Sequence, residues 1–277
     1  MPTSGLSLVG FMDQGEALAH LKSVCLPTIL DDAALVAEWQ AAQANLGVQI
    51  VGAGLPEILA IPSAHEHYLT QLTQEPWAKE YFANVIRGFS FQLVEIDKLL
   101  AFQFTVDISR SDHHCGTLGP NPSLDKQIES CLPMAPPNEE LKTVQSPQSM
   151  MLRTKCLNLQ TLGQGMFNAQ FMGLQFGLSF PFVHVVEYNN RYYLHNGFHR
   201  ALGLRSSGVT HLPCILRKVN SPEEAGIRHG TFPLQLMESS NPPTVGHFTQ
   251  GRSHPVTLRS VSKILHVSWA EYIIEDE

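Results

Sequence analysis

The spacing of apolar residues near the start of the chain predicts helices. Glu16 to Val24 forms a short amphipathic segment, and Asp31 or Asp32 can cap a second helix that ends near Leu46 before Gly47. A third helix is predicted from His65 to Leu72, and a fourth begins at Pro76 and runs to about Ile86. We therefore expect residues 1–87 to form a helical N-terminal region, whose simplest role is a cap or a surface that meets a protein partner.

The pattern changes from helical to alternating at Phe89. Residues 89–96 alternate in the manner of a strand, and residues 102–108 extend again. Residues 116–149 hold six of the eighteen prolines, which predicts an insertion or long loop with one helix at Leu124 to Cys131. Leu157 to Phe176 has helical spacing, although Gly163, Gly165 and Gly173 weaken it.

The second half of the chain predicts a hairpin followed by a helix and a strand. The hairpin strands are residues 182–188 and 191–194, joined by Asn189 and Asn190, which tolerate the positive φ of a type I′ turn. A helix from Ala201 to Ser206 and a strand from Thr210 to Val219 follow, and a C-terminal extension begins at about residue 220. Its last strand is either 256–259 or 263–269. The fold class predicted is α+β, with one domain over residues 88–277.

Composition and charge restrict the classes of function. The chain of 277 residues is 43% hydrophobic with a net charge of −7, which favours a packed core and disfavours bulk binding of nucleic acid. The N-terminus has no basic region followed by an apolar run, and no stretch is apolar enough to predict a membrane span. Five scattered cysteines, without a close pair, predict free thiols and a cytoplasmic protein.

The segment from Asn196 to Arg200 combines the features of an anion-binding turn. Gly197 allows a ligand to approach the backbone, and the first amides of a helix carry partial positive charge. Arg200 offers a charged fork for phosphate oxygens, and His199 can donate a hydrogen bond or transfer a proton near neutral pH. Asn196 can cap the helix or turn its amide to the ligand. The alternative is that Asn196 only caps, Gly197 only turns and Arg200 pairs with a surface carboxylate.

This arrangement resembles the ParB/sulfiredoxin-like superfamily. The hairpin leads into Gly197-Phe198-His199-Arg200, matching a Gly-x-His-Arg turn, and a Gly-Val-x-x-Leu-Pro step follows at residues 208–213. Residues 93–103 are similar to the opening strand and turn of the family. The resemblance implies a mixed sheet with short helices and a nucleotide or other phosphate held by residues 196–200, with Phe198 contributing from the turn.

The sequence also departs from the known members of that superfamily. Sulfiredoxins carry a cysteine where this chain has Phe198, which argues against reduction of sulfinic acids. Kinase-like and nuclease-like relatives often carry aspartate where this chain has Asn196, and residues 220–277 show no helix-turn-helix of the kind that partition proteins use on DNA.

Phosphoryl transfer or hydrolysis would require a carboxylate to hold Mg²⁺ or accept a proton. Glu95 and Asp97 are the best candidates beside His199, and Glu187 is weaker; the alternative is that Asp97 caps a turn and Glu95 lies on a solvated strand face. The string from Ser111 to Cys115 has zinc-type ligands, but neighbours in sequence cannot all face one ion.

These residues leave open whether the protein is an enzyme. The first hypothesis is a phosphotransferase, nucleotidase or nuclease that uses a nucleoside triphosphate with Mg²⁺. The second is a non-catalytic sensor of a small phosphate-bearing ligand or a protein-interaction module. The third is a structural protein that has kept the fold and lost the ligand.

Overall fold

The chain forms two compact units in the computed structural model. The structure describes residues 3–25, 31–47, 54–79, 81–85, 88–135, 141–154, 159–168, 171–178, 181–227, 230–259 and 262–272. The first unit comprises residues 1–135 and 181–259, and the second comprises residues 136–180 and 260–277. Helices and strands are both present, so the fold is α+β, as the sequence predicts.

The regular elements are numbered in chain order. The strands are β1 (Thr3–Ser7), β2 (Ile58–Ala60), β3 (Phe89–Glu95), β4 (Thr105–Asp107), β5 (Lys142–Ser146), β6 (Ser149–Thr154), β7 (Leu159–Asn168), β8 (Phe171–Leu178), β9 (His184–Tyr188), β10 (Arg191–Asn196), β11 (His211–Lys218), β12 (His254–Leu258) and β13 (Lys263–Ser268). The helices are α1 (Gln14–Val24), α2 (Asp32–Leu46), α3 (Glu66–Gln74), α4 (Ile108–Leu118), α5 (Leu124–Cys131), α6 (Phe198–Ser206), α7 (Pro222–Ala225), α8 (Leu234–Met237) and α9 (Val245–Thr249).

Two sheets form the framework of the first unit. The larger has the strand order β10-β9-β11-β3-β2, in which only β11 and β9 are parallel. The smaller has the order β12-β1-β4 and is antiparallel throughout. The larger sheet contains the predicted hairpin, and its turn is confirmed because Asn189 and Asn190 have φ angles of 50° and 57°.

The core of the first unit consists of large apolar side chains removed from water. Each such side chain stabilises the folded state by about 1.5–3 kcal/mol relative to its exposed state. The largest fully buried ones are Tyr193, Phe182, Phe232, Leu8, Leu21, Leu35, Leu72, Ile96, Leu99, Ile128 and Leu132. They come from α1, α2, α3, α5, strand β10 and the connections between elements, so the N-terminal segment shares one core with the rest of the unit.

Three of the four predicted N-terminal helices are confirmed as α1, α2 and α3, but the segment is not purely helical. Asp31 caps α2 through a bond from the amide of Ala34, and Gly47 ends the helix. Where a fourth helix is predicted, Tyr81–Val85 forms a π-helical turn, and the predicted end at Ile86 lies outside the described residues. Strands β1 and β2 are additions, and β1 pairs with β4 and β12. The predicted boundary at residue 87 therefore lies inside the first unit.

The second unit contains two antiparallel sheets. One has the order β13-β6-β5, and the other is the pair β7 and β8. The helical interpretation of residues 157–176 is wrong, because residues 159–168 and 171–178 are strands. Glycine costs a helix about 1 kcal/mol each, and Gly165 lies opposite Gly173 in the pairing. Residues 116–149, predicted to be a loop with one helix, contain α5 as predicted and also β5.

Two further expectations can be compared with the described residues. No helix among them is long and apolar enough to cross a membrane. Cys25, Cys115, Cys131 and Cys214 are free thiols, as the sequence predicts, and Cys156 lies outside the described residues.

Candidate functional site

The turn between β10 and α6 is built around Gly197. Its φ of 109° is in the left-handed region, which glycine adopts without strain. A Cβ atom at this position would lie 2.8 Å from Cγ2 of Val183. Both the backbone conformation and the packing therefore require glycine here, whether or not a ligand binds.

Arg200 holds the end of a neighbouring helix. Its Nη1 group donates to the carbonyl oxygen of Pro181, and to those of Ser130 and Cys131 at 3.4 Å each. Ser130 and Cys131 are the last residues of α5, where unpaired carbonyls and the helix dipole favour a cation. In its described hydrogen bonds Arg200 therefore contacts backbone carbonyls inside the protein. The alternative interpretation predicted a surface carboxylate instead.

Asn196 and Phe198 also have internal contacts. The Asn196 side chain donates to the carbonyl oxygen of Phe182 at 2.9 Å, and the cap position of α6 is occupied by Gly197. Phe198 is 3% exposed, and its ring lies 6.4 Å from that of Phe102. Asn196 therefore does not cap the helix, and Phe198 packs into the protein.

His199 is partly exposed, as are Asn196 and Arg200. Burial, together with the nearby charges of Arg110, His114 and Arg200, lowers the pKa of the His199 imidazole to about 4, while Asp107 acts in the opposite direction. The imidazole is therefore neutral at pH 7, and its surroundings disfavour any added positive charge. The positive charges of Arg110 and Arg200 would attract an anion, whereas burial disfavours a charge of either sign.

The neighbours of His199 come from α4, which approaches α6 closely at Gly203. A Cβ atom on Gly203 would lie 2.8 Å from the carbonyl oxygen of Ser111 and 2.9 Å from Cβ of His114. Arg110 and His114 are four residues apart, so they lie on the same side of α4. We call Arg110, His114 and His199 the His–Arg cluster.

Sequence reasoning missed the α4 members of this cluster. It considered His114 only within the string from Ser111 to Cys115, as part of a zinc site. That string is helical, and no group of three or more metal-ligating side chains occurs among the described residues. The spacing of Arg110 and His114 was the available signal, but the sequence does not show that α4 packs against α6.

Asp97, one of the catalytic candidates, is hydrogen-bonded to side chains of the protein itself. Its carboxylate accepts two bonds from Nε of Arg205, at 3.1 and 3.2 Å. It also accepts a 2.7 Å bond from the hydroxyl of Thr249 and a 3.2 Å bond from the amide of Gln250. Both oxygens thus already have donors, and these contacts link the turn after β3 to α6 and α9.

The other carboxylates are also engaged. Glu95 binds Lys98 at 3.0 Å and accepts the amide of Glu57 at 3.0 Å, while Glu187 binds Lys218 at 2.7 Å. None of these described contacts involves His199. The structure therefore does not bring Glu95 and Asp97 together with His199 through any described contact, although the sequence groups the three as catalytic candidates.

Two shallow hollows lie among the described residues of the first unit, and residues 196–200 line neither of them. One, of about 340 Å³, lies between α3 and β3 beside Phe91. The other, of about 380 Å³, lies where the turn at Gly208 and the start of β11 meet α5. Any ligand at the His–Arg cluster would accordingly lie outside these two hollows.

No protein-family model, curated protein or solved structure matches this chain.

Proposed function

We propose that this protein binds a small phosphate-bearing ligand at the His–Arg cluster and does not convert it chemically. The observation that carries the proposal is the electrostatic environment of His199, whose pKa is depressed by burial and by the nearby Arg110, His114 and Arg200. An anion placed there would be attracted by Arg110 and would favour protonation of both imidazoles. His199 also lies in the first turn of α6, where the helix dipole adds positive potential.

The positions of the carboxylates support the part of the proposal that excludes turnover. Phosphoryl transfer needs a group that holds Mg²⁺ or accepts a proton close to the phosphate. Asp97 is bound to Arg205, Thr249 and Gln250, and Glu95 is bound to Lys98. Asp107, the carboxylate whose charge acts on His199, accepts bonds from the hydroxyl of Thr3 and the amide of Ser109 and lies 3.9 Å from Nε of Arg110. A nucleoside triphosphate remains a suitable ligand class, with any Mg²⁺ held by its own phosphates.

Membership of the ParB/sulfiredoxin-like superfamily is part of the proposal. The chain order of β9, β10, α6 and β11, with Gly197 at the turn, supports it. In this proposal the ligand is contacted by His199 and by Arg110 and His114 of α4, and not by Arg200 as the sequence predicts. A cytoplasmic location and a protein partner for α1 and α2 remain predictions from the sequence.

Isothermal titration of the full chain with inorganic phosphate and with nucleoside triphosphates, with and without Mg²⁺, tests the proposal. We expect Arg110→Gln and His199→Gln each to weaken binding about tenfold, since each removes a charge-assisted contact. Lys126→Gln is the matched control, because Lys126 is an exposed cation on α5. Equal affinities for Arg110→Gln and Lys126→Gln would exclude the cluster as the binding site.

The pH dependence gives a second measurement. Because the pKa of His199 is about 4 in the free protein, a bound phosphate that raises it makes binding take up a proton between about pH 4 and 6.5. Affinity should therefore rise as the pH falls from 7 to 5, and this rise should be smaller in His199→Gln. Release of phosphate from a nucleotide at a rate that His199→Gln abolishes would show that the protein is an enzyme.

A further inference from the structure

The hollow beside Phe91 forms at the point where β2 ends and β3 continues. The last pair between these strands joins Ala60 to Gln92, so β2 does not extend to Phe91, and α3 lies on the other side of the space. Its volume is about 340 Å³, and sites for small molecules have volumes of about 300–1,000 Å³. We call this space the α3–β3 hollow.

Half of the lining of the α3–β3 hollow is apolar. These residues are Ile61, Leu69 and Phe91. The ring of Phe91 packs against the rings of Phe82 and Phe89, with centroid distances of 5.9 and 5.3 Å. Such a surface can remove a short alkyl chain from water, and an aromatic ring also attracts a cation placed over its face.

The polar half of the lining comes from one side of α3. Glu66, Thr70 and Thr73 line the hollow, and their spacing of four and three residues places them on the same side of the helix. Among the described residues of the lining, Glu66 is the only charged one. It is exposed, and no described hydrogen bond or ion pair engages its carboxylate, because the adjacent His65 pairs with Asp125 instead.

We propose that the α3–β3 hollow binds a primary alkylammonium group, with the alkyl chain on the apolar lining and the charge against Glu66. An ammonium group has three donors, and the hydroxyl oxygens of Thr70 and Thr73 can accept from it beside the carboxylate. One carboxylate is too few for Ca²⁺ or Mg²⁺, which take about six or more oxygen ligands. The net charge of −7 of the whole chain also favours a cation.

This chemistry has two sources. A free alkylamine and the side chain of a lysine in a partner protein both carry an ammonium group on a short apolar chain. Either ligand has a charge opposite to that of the ligand proposed for the His–Arg cluster. The two proposals therefore stand or fall separately.

Titration of the full chain with n-butylamine at pH 7, followed by amide chemical shifts in NMR spectra, tests this proposal. We expect shifts at Leu69, Thr70, Thr73 and Phe91, and weaker binding of 1-butanol, which has the same alkyl chain without the charge. Glu66→Gln should weaken binding of n-butylamine about threefold to fivefold, as for an exposed ion pair, and leave binding of 1-butanol unchanged. Glu66→Lys should abolish binding of the amine and allow butyrate to bind.

Glu16→Gln is the matched control. Glu16 is also an exposed glutamate in the first turn of a helix, and it lines neither hollow. Thr70→Val, which keeps the shape of the side chain, should weaken binding of the amine about threefold through loss of the hydroxyl acceptor.

Three results would overturn the proposal. The first is an absence of shifts at the lining residues, and the second is equal weakening in Glu66→Gln and Glu16→Gln. The third is equal affinity for n-butylamine and 1-butanol, which would show that the hollow does not recognise the charge. A peptide with one lysine that binds more tightly than n-butylamine, and loses affinity in Glu66→Gln, would support the proposal and identify a partner protein as the source.

Discussion

Replacing Arg200 with alanine tests whether this residue holds the protein together or contacts a ligand. The change leaves the carbonyls of Ser130, Cys131 and Pro181 without their cationic donor. A hydrogen bond from a charged donor contributes about 1.5–3 kcal/mol to stability, although two of these three are long at 3.4 Å and therefore weak. We expect the free energy of unfolding of the first unit to fall by about 2–4 kcal/mol.

Trp77 provides a local probe for this measurement. Its indole donates to the carbonyl of Met134 at 2.8 Å, and its ring lies 5.4 Å from Phe182, which follows Pro181 in the chain. In a background with Trp39→Phe and Trp269→Phe, urea unfolding followed by Trp77 fluorescence reports on the first unit alone. Lys126→Ala in the same background is the control, because Lys126 is exposed on the helix that Arg200 caps.

The outcome separates the two roles of the arginine. If Arg200→Ala and Lys126→Ala both change stability by less than about 0.5 kcal/mol, the value typical of surface substitutions, the structural role assigned to Arg200 is wrong. Loss of phosphate binding without loss of stability would return Arg200 to the ligand site.

Three further predictions concern other parts of the first unit. Burial lowers the pKa of His247 from 6.5 to about 4. Between these two pH values the unfolded chain binds a proton that the native state does not, so the free energy of unfolding decreases as the pH falls below 6.5. At pH 5.5 the loss from this group is about 1.4 kcal/mol. Urea unfolding at pH 7.5 and 5.5 should show a smaller difference for His247→Asn, and an unchanged difference would contradict the assignment. Asp97→Asn should destabilise the protein by about 1–3 kcal/mol, and a double-mutant cycle with Arg205→Gln should give a coupling above about 0.5 kcal/mol; strict additivity would show that the pair does not interact. By thermal unfolding, Gly197→Ala should lower stability by about 1–3 kcal/mol more than Gly54→Ala does. Both glycines have positive φ, but only the Cβ added at Gly197 would lie against a neighbouring atom. Equal losses of stability would mean that the neighbouring side chain adjusts without cost.

The sequence predicted the local structure around the turn because that structure depends on neighbouring residues. Asn189 and Asn190 tolerate positive φ, and Gly197 ends the strand, so the order of strand, turn and helix follows from the residues themselves. The sequence could not predict which groups the Arg200 guanidinium contacts. The carbonyls that receive its guanidinium belong to α5 and Pro181, and no local pattern places them beside α6.

The error over residues 157–176 has a different origin. The apolar residues of this segment have helical spacing, and its glycines weaken a helix without excluding one. In the structure Gly165 lies opposite Gly173 in a pair of strands, an arrangement set by pairing between separate segments. The sequence could not predict the His–Arg cluster for the same reason, because the contact of Gly203 with α4 depends on tertiary packing.

The position of strand β1 in its sheet affects how the chain folds while it is being synthesised. It lies between β4 and β12, so residues 3–7 have their second neighbour only when residues 254–258 have been made. While a ribosome is still producing the intervening chain, the far edge of β1 is open to pairing with other nascent chains. We expect such polypeptides to depend on chaperones until translation has passed β12, and folding to be slowed by the long loop that this last pairing must close.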